Sequence, residues 1–385
     1  MGAFRQYNPA LAAFVLMMSM SLTTTALSFF VEPVCAELGF GRGSFTVCYS
    51  ILTASGTLAS PFLGQFIQRR GVRPVAAVCA FWTAAGLAAF SFCQSLWMFY
   101  LAGALTGFFG TACVTLCASV TVQTCYRGAA ASRLTGLVMA GSGLGGMLVS
   151  LMLPGLIEDW GWRWGYRLTA FSWLVLGLCA LWLLPGTRKS FAKEGRREAG
   201  MTRAEALHSI KLYLLILVIF LLSAASGIQQ QLPAVLSGRG LDTNRVSLMM
   251  SVFTAALALG KVLQGLLYGK PGPKIGGAVM VSCYAAGFLL LGQGAVLPGL
   301  AALAAGMGTI TTLMPIVARR VFGGREYAAI WSILSAVSNL GAMIAAPLFG
   351  MAFDAAGSYA GALLAAAMLL VPELCGLIMV CRSEK

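Results

Sequence analysis

The chain has 385 residues, of which 59% are hydrophobic and only 10% are charged. Soluble domains carry about 25% charged residues, so this composition excludes an ordinary soluble protein. The formal net charge is +14, and the distribution of the cations along the chain decides what that excess means.

Apolar runs of about 20 residues, the length that crosses a bilayer, recur from one end of the chain to the other. The first run is too long for the apolar core of a signal peptide and has no obvious small-x-small cleavage site, so it is predicted to be the first span. The connections are short. The sequence therefore predicts an all-α membrane protein with twelve spans, at residues 10–33, 45–66, 75–94, 97–121, 134–156, 167–185, 211–235, 246–268, 275–292, 298–318, 327–350 and 358–381.

The lysines and arginines are divided unevenly between the two sides of this predicted bundle. With the N-terminus in the cytoplasm, 20 of the 26 lie on the inner side, five lie on the outer side, and one, Lys261, lies within a span. This bias is the positive-inside rule, so the basicity reflects topology and predicts no nucleic-acid partner. Both termini are predicted to be cytoplasmic, and the protein is predicted to lie in a bacterial plasma membrane.

Two six-helix halves are predicted, residues 1–185 and 211–385, joined by a polar cytoplasmic linker at 186–210. The halves share a pattern of glycine and basic residues at offsets 0, 5, 7 and 9, after spans two and eight and 201 residues apart. Two parallel repeats of this kind indicate a transporter whose site lies between the repeats, near the bilayer midplane. The shared residues are Gly64, Arg69, Gly71 and Arg73 in the first half and Gly265, Lys270, Gly272 and Lys274 in the second half.

This pattern resembles the loop motif of the major facilitator superfamily, G-x-L-x-D-R-x-G-x-[RK], which follows spans two and eight in that family. Residues 126–167 are similar to the family's RG…G…G…P…GWR stretch, and "LGFGRGSFTVCYS" at 38–50 resembles the bacterial monocarboxylate and oxalate–formate branch. The resemblance implies a twelve-helix secondary carrier. The acidic residue of the motif is absent from both halves, where Gln68 and Gly269 stand, and this implies a weaker or differently built inner gate.

Lys261 interrupts a run that is otherwise apolar from Val246 to Tyr268. At helical spacing it shares a polar face of span eight with Thr254 and Gln264. One interpretation is a lysine that snorkels to the cytoplasmic interface. Against it, a cation at this depth costs about 2.5–3.5 kcal/mol even on lenient insertion scales, and such residues normally face a cavity and mark a substrate or ion route. We therefore expect Lys261 to face a water-filled path inside the bundle.

The resemblance implies a specific role for this lysine. In the monocarboxylate branch, a cation in span eight, four residues before the first glycine of the motif, binds the substrate carboxylate, and Lys261 stands four residues before Gly265. Oxalate-type exchangers carry a second cation in span eleven, whereas this sequence is uncharged from Ala328 to Gly350. A single cation suits a single negative charge. The substrate implied by the resemblance is therefore a monoanion held by Lys261.

Two acidic residues lie within apolar runs, Glu32 in span one and Glu373 in span twelve. Buried carboxylates titrate closer to neutrality than exposed ones, so either residue could couple protons. The resemblance favours Glu32, because the first span of each half lines the family's cavity; the alternative is an interfacial glutamate in contact with outer water. Glu373 follows a proline in the last span, and for it a structural role is favoured.

Hydroxyl and amide groups in the other spans are candidates for orienting a substrate. Thr24, in a run of three threonines, either donates to a substrate or bonds a carbonyl of its own helix. Gln230 belongs to a run of three glutamines before a proline, where span seven is expected to bend. Ser335 and Asn339 form a polar stripe in span eleven, for which the alternative role is a hydrogen bond between helices. With Lys261, Thr254 and Gln264, these residues complete the predicted substrate-binding set, and Glu32 is the predicted proton-coupling residue.

The resulting hypothesis is a secondary active transporter of a small or amphipathic organic monoanion, which works by alternating access and is coupled to a proton or a counter-anion. The alternatives are a proton-coupled exporter of lipophilic compounds that depends on Glu32, and a sensor that binds without transport. The sequence contains no nucleotide-binding loop, cysteine–histidine cluster or catalytic constellation, so no cofactor, metal or enzymatic activity is predicted. The expected partners are the anion, a proton or counter-anion and membrane lipids, and the expected state is a monomer.

Overall fold

The structure is a computed structural model that describes residues 2–184, 200–230, 232–237, 239–241, 243–269, 272–356 and 359–382. These residues form helices and short connections, with no β-sheet and one isolated β-bridge between Gly200 and Gly323. The all-α fold class predicted from the sequence is confirmed.

Each predicted span corresponds to one helix or to a helix with an interruption. The first seven helices are α1 (Gly2–Leu38), α2 (Arg42–Arg70), α3 (Val72–Phe90), α4 (Leu96–Phe109), α5 (Thr111–Cys125), α6 (Gly128–Trp160) and α7 (Trp162–Leu183). The others are α8 (Arg203–Leu207), α9 (Ile210–Ser226), α10 (Leu232–Ser237), α11 (Thr243–Gly269), α12 (Pro273–Gly292), α13 (Val296–Met307), α14 (Thr309–Phe322), α15 (Tyr327–Ala356) and α16 (Ala360–Arg382).

Eleven segments of the described residues are long and apolar enough to cross a membrane, and they coincide with every predicted span except the second. Span two is nevertheless a continuous helix, α2, of 29 residues. Its serine, threonine and glycine residues lower its hydropathy, because they replace aliphatic side chains on one turn after another.

Spans four, seven and ten are interrupted, although the hydropathy of spans four and ten predicted continuous helices. Span four breaks at Gly110, whose backbone angles of φ −85° and ψ −113° lie outside the helical region. Span ten breaks at Gly308, between α13 and α14. Span seven passes into a 3₁₀ turn at Gly227–Gln230, at the bend expected there. Spans four and ten occupy equivalent places in the two halves, so their glycine break is part of the repeat.

The helices form two compact units. The first comprises Met1–Cys125, Gly141–Glu198 and Glu326–Ala336, and the second comprises Tyr126–Ala140, Ala199–Arg325 and Val337–Lys385. Two helices contribute to both units: the first turns of α6 belong to the second unit, and the first turns of α15 belong to the first unit. The sequence-based division at the 186–210 linker stays a prediction.

Glycines bring equivalent pairs of spans together in the two units. A Cβ atom on Gly103 would lie 2.8 Å from the carbonyl oxygen of Cys48, so span four packs closely on span two. In the second unit, a Cβ atom on Gly260 would lie 3.1 Å from the carbonyl oxygen of Ala304, so span eight packs closely on span ten. Small residues allow helix backbones to approach within the range of dispersion contacts. The repeat visible in the sequence is therefore also a repeat of packing.

The described end of the linker is attached to the second unit. The backbone N–H of Met201 donates to the carbonyl of Phe322 at 2.8 Å. Thr202 caps the short helix α8, because its hydroxyl accepts from the Glu205 N–H and its own N–H donates to the Glu205 carboxylate at 2.8 Å. This reciprocal arrangement is a capping box. It holds the start of span seven beside the end of span ten.

Candidate functional site

Lys261 lies in α11, eight residues before that helix ends at Gly269, and its side chain is partly exposed. Its ammonium donates a hydrogen bond to the backbone carbonyl of Met139 in α6, with an N–O distance of 3.4 Å. Met139 lies eleven residues into α6, about 16 Å from the helix start at 1.5 Å per residue. The predicted topology puts the start of α6 and the end of α11 on the cytoplasmic side. The lysine side chain therefore extends away from that side, which is the opposite of snorkelling.

Glycines in two neighbouring helices make room for Lys261. A Cβ atom on Gly308, at the break in span ten, would lie 2.9 Å from the Cγ atom of Lys261. A Cβ atom on Gly136, in span five, would overlap the backbone carbonyl oxygen of Lys261 and lie 2.8 Å from the Cα atom of Gly265. All four residues belong to the second unit. The lysine is thus held between spans five, eight and ten at a place where larger neighbours are excluded.

Gln264, which the sequence predicted to bind substrate, is fully buried and directs its side chain at span ten. Its amide nitrogen donates to the Ala305 carbonyl and, at 3.5 Å, to the Thr309 hydroxyl, while its oxygen accepts from the Thr312 hydroxyl. Tyr268, also fully buried, contacts the Thr309 hydroxyl at 3.4 Å. These bonds fix span eight to span ten beside the helix break. They satisfy the amide within the protein, so Gln264 contributes to the frame around Lys261.

Two further predicted residues share the second unit with the lysine. Thr254 lies two turns before Lys261 on the same helix, is partly exposed, and donates to the carbonyl of Met250 in its own helix at 2.9 Å. Asn339 is partly exposed in span eleven. The residue before it, Ser338, which is not part of the predicted stripe, accepts a hydrogen bond from Ser223 in span seven at 2.9 Å.

Thr24 and Ser335 belong to the first unit. Thr24 is exposed, and its hydroxyl donates to the carbonyl of Met20 in its own helix at 3.1 Å, which is the alternative considered for it. Ser335 is almost fully buried, with 7% of its surface exposed. The predicted residues that lie outside the described part of the structure are the side chains of Glu32 and Gln230 and the whole of Lys270.

The two copies of the loop motif have the same backbone geometry at their turn glycines. Gly71 and Gly272 have φ angles of 86° and 87°, a region that glycine adopts without strain and other residues rarely enter. Each of these glycines directly precedes the next helix, α3 or α12. The described basic residues of the motif are exposed, as expected for a solvated loop: Arg69, Arg73 and Lys274.

The other motif glycines lie at close contacts between helices. A Cβ atom on Gly64 would overlap the side chain of Ser332 in span eleven, and one on Gly265 would lie 2.8 Å from the carbonyl oxygen of Ser132 in span five. Gly269, which replaces the acid of the family motif, continues the second contact, since its Cβ atom would lie 3.3 Å from the carbonyl oxygen of Ala129. A carboxylate side chain at this position would press against span five.

An ion pair that the sequence reading did not identify links spans one and six. The carboxylate of Glu37 accepts hydrogen bonds from the guanidinium of Arg163 and, at 2.6 Å, from the indole N–H of Trp162. Arg163 also lies over the Trp162 ring, 4.3 Å from its centre. Arg163 lowers the pKa of Glu37 below its usual value of 4.5, Trp162 adds to this, and partial burial opposes it. The "GWR" stretch was visible in the sequence, but its partner acid lies 125 residues away.

The two units repeat their motif turns, their glycine contacts and their helix breaks, and the apolar helices of the described residues are those of a polytopic membrane protein. The sequence profile of the Major Facilitator Superfamily matches residues 10–305. The chain therefore belongs to the Major Facilitator Superfamily, whose members are transporters.

Curated relatives are similar to this chain over different lengths. It is 24% identical over 307 residues to an "MFS-type transporter" of Gibberella moniliformis, which covers 78% of this chain and 73% of that protein. It is 31% identical over 121 residues to the "Fujikurins efflux protein" of Gibberella fujikuroi (31% and 25% covered), and 29% identical over 161 residues to "Monocarboxylate transporter 4" of Rattus norvegicus (42% and 34%). These organisms are fungal and mammalian and do not support the predicted bacterial membrane.

Solved structures share the fold across almost the whole chain. A proton:xylose symporter of the superfamily has a TM-score of 0.81 at 14% identity, with 97% of this chain and 95% of that chain covered. The human organic anion transporter MFSD10 has a TM-score of 0.73 at 17% identity, with 97% and 99% covered. At these identities the likeness shows the fold and leaves the substrate to be argued from the site.

Proposed function

We propose that this superfamily transporter carries a small or amphipathic organic monoanion, such as a monocarboxylate, by alternating access. The observation that carries the proposal is the placement of Lys261 between spans five, eight and ten, with its ammonium directed along span five away from the predicted cytoplasmic end. A charged side chain at membrane depth marks a substrate or ion route. A carboxylate is the organic group whose charge matches such an ammonium.

The chemistry of the lysine limits the substrate further. An ammonium is a compact point charge without the bidentate fork of a guanidinium, so it accepts carboxylates in several orientations. Thr254 and Asn339, both partly exposed in the same unit, would orient the remainder of the substrate. The likeness of part of the chain to a monocarboxylate transporter supports this substrate class.

Energetics require that anion uptake be coupled. Moving one negative charge into a negative cytoplasm opposes about 2.3 kcal/mol per 100 mV, so inward transport needs a co-transported proton or an exchanged anion. Glu32 in span one is the proposed proton-coupling residue. Both termini are proposed to be cytoplasmic, as the distribution of basic residues indicates.

A second candidate function is favoured by the likeness of 121 residues to a fungal efflux protein. In that case the protein would be a proton-coupled exporter of lipophilic compounds, and Lys261 would be incidental to transport. The Glu32→Gln variant should then abolish efflux of a lipophilic dye from vesicles, and added monocarboxylates should not compete.

The experiment that tests the monoanion proposal compares three variants in proteoliposomes with labelled lactate and benzoate. Lys261→Met removes the charge at similar length, Lys261→Arg keeps it, and Arg320→Ala removes an exposed cation outside the site. Loss of one partner of a buried charge pair costs about 2 kcal/mol or more, so uptake by Lys261→Met should fall by about 30-fold or more. Lys261→Arg should retain part of the activity and Arg320→Ala all of it. Full uptake by Lys261→Met would refute the proposal.

A further inference from the structure

Glu373 lies in the middle of α16 with none of its surface exposed. Neither of its carboxylate oxygens has a hydrogen-bond partner among the residues that the structure describes. Helix α16 begins at Ala360 and ends at Arg382. Glu373 is therefore far from both helix ends, which are the places where water would reach an acid. A buried acid without donors is unusual, because native structures pair nearly all of their buried polar groups.

The interior of the second unit around span twelve is closed to water. Tyr268 in span eight and Tyr284 in span nine belong to the same unit as Glu373 and are fully buried, like the acid. The hydroxyl of Tyr284 is itself buried and has no partner within the described part of the chain. One turn beyond Glu373, span twelve contacts spans seven and nine through Val218 and other aliphatic atoms. No ion pair among the described residues includes Glu373.

This environment determines the charge of the group. An ionised carboxylate removed from water without donors or a cation is strongly unfavourable, whereas the neutral acid loses far less solvation and carries a hydrogen that it can donate. In the conformation described here, Glu373 therefore binds a proton, and the proton can leave only when a change of conformation admits water or a donor.

Glu373 and the proposed substrate site belong to the same unit. Within that unit Tyr268 contacts Thr309, Thr309 accepts from Gln264, and Gln264 lies beside Lys261 at the break in span ten. The acid and the lysine therefore lie in one packed body whose rearrangement would affect both. The sequence favoured a structural role for this residue, but a purely structural carboxyl group would be expected to have the partners that Glu373 lacks.

We propose that Glu373 is a proton-carrying site of this transporter, loaded while spans seven, nine and ten are packed against span twelve and emptied when they rearrange. The proposal deepens the proposed function, since it names the coupled ion and a residue that carries it. It assigns proton coupling to the second unit, in addition to the candidate Glu32 in the first.

The first test needs no substrate and is therefore independent of the proposed function. Infrared spectra of the purified protein at neutral pH should show the C=O stretching band of a protonated carboxylic acid. This band should persist in Glu32→Gln and in Glu158→Gln, which alters an exposed acid, and should disappear in Glu373→Gln. A band that survives in Glu373→Gln, or its absence from the wild type, would overturn the proposal. If Glu373→Gln does not fold, Glu373→Asp serves instead: it keeps the carboxyl group but moves it by one methylene, so the band should shift, and an unshifted band would overturn the proposal.

The second test uses proteoliposomes with lactate and benzoate. For one proton per anion, an inward pH gradient of one unit should drive roughly tenfold accumulation in the wild type. Glu373→Gln mimics the protonated acid, so it should keep exchange of internal for external anion but lose the gradient-driven accumulation. Undiminished accumulation would contradict the proposal. If the wild type transports neither acid, the monoanion proposal is wrong, and the infrared result alone decides the role of Glu373.

Discussion

The contact between spans five and eight leads to a prediction that can be worked from distances. A Cβ atom on Gly265 would lie 2.8 Å from the Ser132 carbonyl oxygen, 2.9 Å from the Gly136 Cα atom and 3.0 Å from the Arg133 carbonyl oxygen. Ordinary contacts between such atoms are about 3.5 Å, so Gly265→Ala requires the two helices to separate by about 0.7 Å. The obstructing atoms all belong to the backbone, and no side-chain rotation relieves the clash.

The expected cost is that of overpacking, about 1–3 kcal/mol. Replacing a helical glycine by alanine by itself stabilises a helix by about 0.5–1 kcal/mol. Gly155→Ala is the reference variant that cancels this gain, because Gly155 lies in span five and a Cβ atom there would meet nothing within 4 Å. The free energy of unfolding, measured by SDS titration in mixed micelles, should be about 1–3 kcal/mol lower for Gly265→Ala than for Gly155→Ala.

A change of conformation could relieve the same clash, and a second readout detects it. Ser132 is 1% exposed, so a cysteine introduced there should react slowly with a hydrophilic maleimide and faster once Gly265→Ala opens the contact. Gly269, which stands where the motif has its acid, extends the same close contact with span five. The reasoning is refuted if Gly265→Ala is as stable as Gly155→Ala and its cysteine labels no faster.

Two other predictions follow from side-chain bonds. Gln264→Leu should lower the free energy of unfolding by about 1–3 kcal/mol, because it leaves the partly buried Ala305 carbonyl and the buried Thr309 hydroxyl without their donor. It should not change the lactate concentration that half-saturates a thermal-shift assay. A large rise in that concentration would instead place the amide at the substrate. Glu37, whose pKa is lowered by Arg163, should contribute stability that is present above its unfolded-state pKa and lost as pH falls through its lower folded-state pKa. Acidification below about pH 4.5 should therefore destabilise the wild type more than Glu37→Gln. The difference should be small, because the ion pair is exposed to solvent. Equal acid sensitivity of the two proteins would contradict this prediction.

The sequence predicted the spans well because the physics of a bilayer acts on each segment separately. Every run of about 20 apolar residues must satisfy its own backbone hydrogen bonds as a helix, so hydropathy alone locates it. The ends were less accurate, since α6 continues to Trp160, well beyond the predicted end at residue 156. The turns at Gly71 and Gly272 were also predictable, because two copies of one motif required the same backbone conformation.

The site could be predicted only in part. Lys261 was identifiable because a cation in an apolar run is costly wherever the chain folds. Gln264 is also polar and lies on the same face of span eight as Lys261. Only the structure shows that it bonds Thr309 and Thr312 in span ten. Glycines followed by threonine, at Gly110 and Gly308, were the available signal for the breaks in spans four and ten.

The sequence by itself determined that this protein is a bundle of apolar helices in two repeats with a lysine inside one of its spans, because burial in lipid and internal duplication leave a mark on every segment. Only the tertiary structure decided which polar groups find partners: Glu37 meets Arg163 and Gln264 bonds span ten, whereas Glu373 is enclosed without a hydrogen-bond partner among the described residues. These pairings join residues that are distant in the chain. The energies of these pairings depend on the distance between the groups and on the exclusion of water. The helical periodicity of a single span predicts neither of them.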